Sequence, residues 1–185
     1  MVTINELINN SVKNLGELSM TPLLDVQVIL CRILDVDRIY LLLNRYETLD
    51  DETLEKFNKA FEQRLSGMPV QYIVKHQEFM GLDFYVDKGV LIPRPDTEIL
   101  IEELINRNKD RVGLKILDLG TGSGAISISL AKFLKSSKVY SMDISAKALE
   151  IAVKNAISNG VSENIEFINQ DMLEFFNTFV LMAWY

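Results

Sequence analysis

The chain contains 185 residues, of which 48% are hydrophobic and 24% are charged, and its formal net charge is −7 at pH 7. These values are those of a globular protein and exclude a disordered or collagen-like chain. The negative charge disfavours non-specific binding to nucleic acid, because phosphates repel an acidic surface. We therefore expect no direct nucleic-acid partner.

Several features of the sequence bear on its compartment. No hydrophobic run reaches the ~18 residues that a transmembrane helix needs, so we expect no membrane partner. The N-terminus has neither the basic start nor the apolar core of a signal peptide. Cys31 is the single cysteine, which excludes an internal disulfide and a cysteine metal cluster. We therefore expect a cytoplasmic protein without a metal site.

The first third of the sequence has the apolar spacing of amphipathic helices. Thr3 and Glu6 form a capping-box pair ahead of the first helix. Thr21 followed by Pro22 is typical of an N-cap and a first helical position. We predict an N-terminal helical bundle over residues 1–67. It contains neither a close histidine–carboxylate pair nor metal-ligand spacing, so it is either a packing domain or a module that docks a partner.

Short strands are predicted for the next segment, which we assign as a β-hairpin linker at residues 68–92. The segments with strand-like composition are 71–74, 78–79, 83–86 and 90–92. Met80-Gly81-Leu82 is the predicted hairpin turn. The only histidine, His76, has polar neighbours and no evident partner base, so we place it on the surface. Asp96 is predicted to cap a helix that runs from Thr97 to about Arg107.

The last part of the sequence alternates strands with helices. Strands are predicted at 115–119, 139–142 and 165–168, with a helical pattern after each of the first two. This alternation predicts a parallel sheet with right-handed crossovers.

A glycine-rich loop follows the first of these strands. Its residues are Gly120, Thr121, Gly122, Ser123 and Gly124. Glycines allow a ligand to approach the backbone closely, and a helix N-terminus offers N–H groups to an anion. Asp143 ends the second strand, where a carboxylate can accept hydrogen bonds from both ribose hydroxyls of a nucleoside. The loop and Asp143 together predict a nucleoside-cofactor site.

Two classes of cofactor fit this site. Dinucleotide sites usually have the spacing G-x-G-x-x-G and an aliphatic residue at the end of the strand. Here the spacing is G-x-G-x-G, and Asp118 precedes Gly120 by two residues, where it could face a cationic ligand. S-adenosyl-L-methionine carries an ammonium and a sulfonium group but no phosphate. We therefore favour S-adenosylmethionine over a dinucleotide.

Two segments resemble known motifs. Residues 118–126, Asp-Leu-Gly-Thr-Gly-Ser-Gly-Ala-Ile, resemble motif I of class I methyltransferases. Residues 92–98, Ile-Pro-Arg-Pro-Asp-Thr-Glu, follow a Glu78-Phe79-x-Gly81-Leu82-x-Phe84-x-Val86 hairpin. That combination is similar to the HemK/PrmC family, the glutamine-N5 methyltransferases that act on peptide chain release factors. The resemblance covers residues 1 to about 176.

The resemblance implies an α/β fold in three parts. These are the N-terminal helical bundle, the β-hairpin linker and, at residues 93–185, the first part of a class I, Rossmann-like methyltransferase domain. It implies S-adenosylmethionine as the cofactor and the glutamine-bearing loop of a release factor as the partner. The implied activity is methyl transfer to the side-chain amide nitrogen of that glutamine.

The resemblance also implies roles for individual residues. Residues 120–124 would cradle the methionine part of the cofactor, and Asp143 would hold the ribose. Asp171 lies where the family has an acid near the adenine amino group. Met172 follows, where many members have an aromatic residue against the adenine. Three further residues, Arg94, Thr97 and Glu98, match the family's linker motif beside the pocket.

The sequence departs from the family pattern after Asp171. The Asn-Pro-Pro-Tyr signature, which would orient the glutamine amide, does not occur in the 185 residues. We therefore interpret the chain as truncated, name no catalytic residue in it and expect little or no turnover. The apolar run at 179–185 could supply a fourth strand, and an open sheet edge could allow a homodimer.

Other functions stay open at this stage. The chain could bind the cofactor or a release factor without turnover. An adenine-N6 nucleic-acid methyltransferase would share the Asn-Pro-Pro-Tyr chemistry, although the acidic charge and the absence of a basic cluster count against it. A nicotinamide oxidoreductase would bind NAD instead of S-adenosylmethionine.

Overall fold

A computed structural model describes residues 2–175, which form two compact units that divide between Val74 and Lys75. Among these residues no helix is both long and apolar enough to cross a membrane. The apolar run at 179–185, which we considered as a fourth strand, lies outside the described residues. The three domain ranges given above stay predictions.

The first unit is mostly helical, as the sequence predicts. Its elements are β1 (Val2–Thr3), α1 (Ile4–Leu15), α2 (Pro22–Leu34), α3 (Arg38–Leu43), β2 (Thr48–Leu49), α4 (Asp51–Leu65) and α5 (Val70–Val74). β1 and β2 form a two-stranded antiparallel sheet that we did not predict, in which Val2 pairs with Leu49. The apolar faces of the helices pack around a core that includes Leu15, Leu30 and Phe57.

Side-chain caps begin three of these helices. Thr3 Oγ1 accepts a hydrogen bond from the Glu6 N–H at 3.2 Å, and Glu6 Oε2 accepts one from the Thr3 N–H at 2.9 Å, which confirms the capping box. The Thr3 N–H thereby holds the pKa of Glu6 below its usual value. Asp37 and Asp50 cap α3 and α4. Thr21 makes no capping bond, and α2 instead opens on a proline at its first position.

A buried ion pair crosses the helical unit. Asp25 in the first turn of α2 is 6% exposed, and its Oδ2 lies 2.8 Å from Arg64 Nε in the last turn of α4. Ser19 Oγ donates a hydrogen bond to the same carboxylate oxygen at 2.7 Å. The two residues are 39 positions apart, so no local sequence pattern reveals the pair. It joins one end of α2 to one end of α4.

The strand predicted at 71–74 is wrong, because this segment belongs to the short helix α5. The Ile73 N–H donates to the Pro69 carbonyl at 3.3 Å, as in a helical turn. Val70 and Val74 are buried, and α5 packs against α2 and α4. Residues four apart share one helix face, so burial of that face outweighs the β propensity of valine and isoleucine.

The second unit opens on a hairpin and continues as alternating helices and strands. Its elements are β3 (Gln77–Phe79), β4 (Leu82–Phe84), α6 (Pro95–Asn108), β5 (Lys115–Leu119), α7 (Ala125–Phe133), β6 (Lys138–Asp143), α8 (Ala146–Ser158) and β7 (Ile165–Asn169). A helical turn at 172–175 ends the described residues. The order β5-α7-β6-α8-β7 confirms the predicted α/β alternation.

The hairpin turn lies where the sequence predicts it. Phe79 pairs with Leu82 across antiparallel strands, and the φ angles of Met80 and Gly81 are +55° and +69°. Two successive positive φ angles are those of a type I′ turn, whose twist matches that of the paired strands.

Two predictions after the hairpin are wrong. Residues 90–92 form no strand: the Val90 N–H donates to the Asp87 carbonyl in a turn, and the prolines that follow cannot donate to a ladder. The next helix, α6, begins at Pro95 instead of Thr97. Proline has the φ angle of a first helical position, so Asp96 lies inside the helix and does not cap it.

The three strands β5, β6 and β7 form a parallel sheet in that order. Leu119 of β5 pairs with Met142 of β6, and Asp143 of β6 pairs with Asn169 of β7. The carboxyl ends of the three strands therefore lie along one edge, where ligands bind in open α/β sheets. Among the described residues β5 pairs with β6 alone, so it forms one side of this sheet.

Candidate cofactor site

The glycine loop connects the carboxyl end of β5 to α7 and is fastened to β6. Its three glycines have φ angles of +75° (Gly120), +56° (Gly122) and +82° (Gly124), which other residues adopt only with strain. The N–H groups of Gly120 and Thr121 both donate to the carbonyl of Met142, at 2.8 and 3.0 Å. These bonds fix the start of the loop beside the end of β6.

The three glycines meet different surroundings. A Cβ atom at Gly120 or Gly122 would have no other atom within 4 Å, so a ligand could lie against the backbone there. A Cβ atom at Gly124 would lie 2.7 Å from Ile128 Cδ1 and 3.2 Å from Ala152 Cβ. Gly124 therefore permits close packing of α7 and α8, whereas Gly120 and Gly122 border open space.

Asp143 holds the middle of the loop. Its Oδ2 accepts a hydrogen bond from the Gly122 N–H at 2.9 Å, and its Oδ1 accepts one from the Ser145 N–H at 2.9 Å. Ser145 in turn caps α8 through the Ala148 N–H. An ionised carboxylate has about four acceptor positions. Asp143 can therefore keep both bonds and still accept hydrogen bonds from two hydroxyl groups.

Asp118 lies in a buried cluster of hydroxyl groups. Thr121 Oγ1 donates to Asp118 Oδ2 at 2.8 Å, and Ser141 Oγ and Ser127 Oγ lie 2.6 and 3.0 Å from Thr121 Oγ1. Burial raises the pKa of Asp118, although hydrogen bonds from Thr121 and Ser127 oppose that shift. The expectation that Asp118 could face a cationic ligand stays a prediction. Its described contacts stabilise the loop, and the Thr121 hydroxyl is directed into the same cluster.

Ser123 is tied to a residue that sequence reasoning missed. Its carbonyl accepts a hydrogen bond at 2.9 Å from Asn155 Nδ2 on α8, and both residues are buried. The signal in the sequence was an amide among buried apolar positions of one helix face, which include Ala148, Ile151 and Ala152. Such a residue needs internal hydrogen-bond partners.

Asp171 and Met172 follow β7 at the same edge of the sheet. Asp171 Oδ1 accepts a hydrogen bond from the Leu173 N–H at 2.8 Å, so its described role is to cap the turn at 172–175. The preceding Gln170 N–H donates to the Asp143 carbonyl at 3.2 Å. The Met172 side chain is 49% exposed. Both residues thus lie one strand away from Asp143, and the hydrogen bond of the Asp171 side chain is to its own turn and not to the glycine loop.

The linker-motif residues have structural contacts of their own. Glu98 Oε1 accepts a hydrogen bond at 2.7 Å from the Met80 N–H, which fastens the strained hairpin turn to α6. Arg94 is exposed and precedes α6, and its carbonyl accepts the Thr97 N–H. Among the residues that the structure describes, no cluster of ligand residues could hold a metal ion.

His76 lies at the surface, but its side chain has a partner that we did not predict. Its Nε2 lies 2.7 Å from Asp83 Oδ1 across the hairpin, and the two side chains are 43% and 84% exposed. A pair this exposed, with no nucleophile described beside it, is a surface contact.

Comparisons with known proteins agree with this arrangement. The family model described as the PrmC N-terminal domain matches residues 6–74, and one described as a methyltransferase domain matches residues 110–180. A release factor glutamine methyltransferase of Clostridium acetobutylicum is 40% identical over 150 residues, which are 81% of this chain and 53% of that protein. A Moorella thermoacetica protein of the same name is 37% identical over 173 residues, 93% of this chain and 61% of that protein.

A solved structure is also similar in part. The SAM-dependent methyltransferase from Agrobacterium tumefaciens matches with a TM-score of 0.47 and 24% identity, over 56% of this chain and 34% of that one.

The chain spans about half to three fifths of the length of the curated relatives it matches. With the PrmC N-terminal domain followed by the start of a methyltransferase domain, the chain belongs to the HemK/PrmC family.

Proposed function

We propose that the chain carries the cofactor-binding part of an S-adenosylmethionine-dependent protein-glutamine N5-methyltransferase that acts on a peptide chain release factor. The names of its relatives support the activity and the substrate. The observation that carries the proposal is the hydrogen bond from the Gly122 N–H to Asp143 Oδ2 at the carboxyl edge of the sheet. That bond joins the glycine loop to the carboxylate at the end of β6, and these are the two elements that a nucleoside cofactor needs.

The described residues fit S-adenosylmethionine. Open space at Gly120 and Gly122 would admit the methionine part of the cofactor along the backbone. Asp143 has acceptor positions left for two ribose hydroxyls. We further propose that Asp171 lies near the adenine amino group and that the exposed Met172 packs against the base through its polarizable thioether.

We propose no catalytic residue within this chain. S-adenosylmethionine supplies an activated methyl group on its sulfonium. A glutamine amide nitrogen is a poor nucleophile, since its lone pair is delocalised into the carbonyl, so methyl transfer depends on orienting it. The 185 residues contain no Asn-Pro-Pro-Tyr sequence to do this. The proposal therefore expects cofactor binding by the chain but little or no methylglutamine when it is incubated with a release factor.

Calorimetric titration with S-adenosylmethionine and, separately, with NAD tests the cofactor. The proposal expects binding of S-adenosylmethionine and none of NAD. Binding of NAD in its place would favour an oxidoreductase site and contradict the proposal. A release factor that acquired methylglutamine at the rate of a full-length relative would contradict the absence of turnover.

The cytoplasm is the proposed compartment, because release factors act there. Homodimer formation through the open sheet edge stays a prediction, which sedimentation of the purified chain would test.

A further inference from the structure

Asn155 makes contacts that reach far beyond its own helix. It lies within α8 and is 1% exposed. Its Oδ1 accepts the Tyr85 N–H at 2.8 Å, and its Nδ2 donates to the Tyr85 carbonyl at 2.9 Å. The same Nδ2 donates its second hydrogen to the Ser123 carbonyl at 2.9 Å. One side-chain amide thus satisfies both backbone groups of Tyr85 and one carbonyl of the glycine loop.

The segment after the hairpin, residues 85–87, makes two further contacts with α8. Lys154 Nζ lies 3.4 Å from the centre of the Tyr85 ring, a cation–π contact. Lys147 Nζ lies 3.8 Å from Asp87 Oδ2. These two contacts hold the segment against α8, whereas the Asn155 amide also reaches the loop.

The loop is a part of the chain that such a contact can influence. Ser123 is flanked by Gly122 and Gly124. Because glycine backbones can adopt more conformations than those of other residues, this part of the loop has little rigidity of its own. A buried hydrogen bond to the Ser123 carbonyl restricts that freedom. One peptide unit separates the Ser123 carbonyl from the Gly122 N–H, which donates a hydrogen bond to Asp143.

We infer that Asn155 is a positioning residue that couples the glycine loop to the backbone at Tyr85, so that cofactor affinity depends on how the segment after the hairpin is seated. The inference about affinity rests on the proposed function. The coupling itself concerns only residues of this chain and can be measured without cofactor.

Asn159 provides a matched control. It lies one helical turn after Asn155, at the C-terminal cap of α8, and its Nδ2 donates to the Asp83 carbonyl of the hairpin at 2.9 Å. Its described bonds do not include the glycine loop. Replacing either asparagine therefore removes a bond between α8 and the hairpin region, but only the change at Asn155 removes the bond to Ser123.

The first measurement is amide hydrogen exchange by NMR on the cofactor-free chain. Asn155→Leu, which is close in volume and cannot form these bonds, should speed exchange at both Tyr85 and Gly122. Asn159→Leu should leave Gly122 unchanged. Unchanged exchange at Gly122 in a folded Asn155→Leu chain would overturn the coupling. Should the leucine variant not fold, Asn155→Ser, whose hydroxyl is too short to span both segments, is measured in the same way with the same two outcomes.

The second measurement is calorimetric titration with S-adenosylmethionine. Asn155→Leu should weaken binding at least ten-fold, and Asn159→Leu less than two-fold, at matched thermal stability. Equal effects of the two variants would overturn the role in affinity and leave a stabilising role alone. Failure of the unmodified chain to bind would contradict the proposed function and the inferred role in affinity, while the exchange experiment would still decide the coupling.

Discussion

Asp143 Oδ2 accepts a hydrogen bond from the Gly122 N–H at 2.9 Å, so the carboxyl end of β6 holds the glycine loop directly. The same carboxylate holds the start of α8 through the Ser145 N–H. One side chain thus sets the relative position of loop, strand and helix at the edge of the sheet.

Asp143→Ala should weaken S-adenosylmethionine binding at least ten-fold, or about 1.4 kcal/mol. The change removes the proposed ribose acceptor and leaves the Gly122 N–H without its partner. Calorimetry measures the affinity, and Glu163→Ala, an exposed acid distant in sequence from the loop, serves as the control. Equal affinities for the Asp143 variant and the control would show that the cofactor does not use this carboxylate.

Two glycine substitutions should separate binding from folding. Gly122→Ala has open space for its methyl group but a φ of +56°, so it should cost roughly 1–2 kcal/mol of stability and obstruct the cofactor. Gly124→Ala adds a close contact with Ile128 and Ala152 to the same kind of strain, and should cost roughly 2–4 kcal/mol. Urea unfolding and calorimetry on both variants test this. A larger stability loss for Gly122→Ala would reverse the assigned roles.

Asp118 should give the chain a pH-dependent stability. Burial raises its pKa in the folded chain, so the folded chain binds more protons than the unfolded chain between the two pKa values. The free energy of unfolding therefore falls as pH rises from about 4 through the raised value, and is then constant as far as this group is concerned. Asp118→Asn removes that dependence. The free energy of unfolding of the variant, minus that of the unmodified chain, should therefore increase as pH rises across this window. Urea unfolding at a series of pH values checks it, and parallel profiles would contradict it.

The buried ion pair should matter more for stability than exposed pairs do. Asp25→Ala leaves the largely enclosed Arg64 side chain, which is 12% exposed, without its carboxylate and should cost roughly 3–5 kcal/mol. Glu52→Ala breaks the exposed pair with Lys56 and should have little effect. Thermal unfolding, monitored by the circular dichroism signal of the helices, compares the midpoints of the two variants. Similar midpoints for both variants would mean that the Asp25–Arg64 pair contributes little.

Local patterns in the sequence were sufficient for much of this architecture. The capping box at Thr3, the hairpin turn at Met80 and the strand–loop–helix at residues 115–133 each depend on residues close together in the chain. The direct contact between Asp143 and the glycine loop follows the general rule that carboxyl ends of neighbouring parallel strands share an edge.

The sequence was less informative where residues far apart in the chain determine the local structure or the contacts of a side chain. The α5 segment has strand-like composition, but burial of Val70 and Val74 makes it helical. Asp118 accepts a hydrogen bond from Thr121, whose hydroxyl also contacts Ser127 of α7 and Ser141 of β6, and the sequence pattern did not reveal this cluster. Asn155 bonds to residues 32 and 70 positions away, which no spacing rule anticipates.

The most direct test of the central claim is an NMR titration of the isotope-labelled chain with S-adenosylmethionine. We predict that the amide signals of Gly120, Gly122 and Ser145 shift with saturation, because the first two border the open space and the third shares the Asp143 carboxylate. Saturable shifts confined to the helical unit, or none at all, would contradict a cofactor site at this loop.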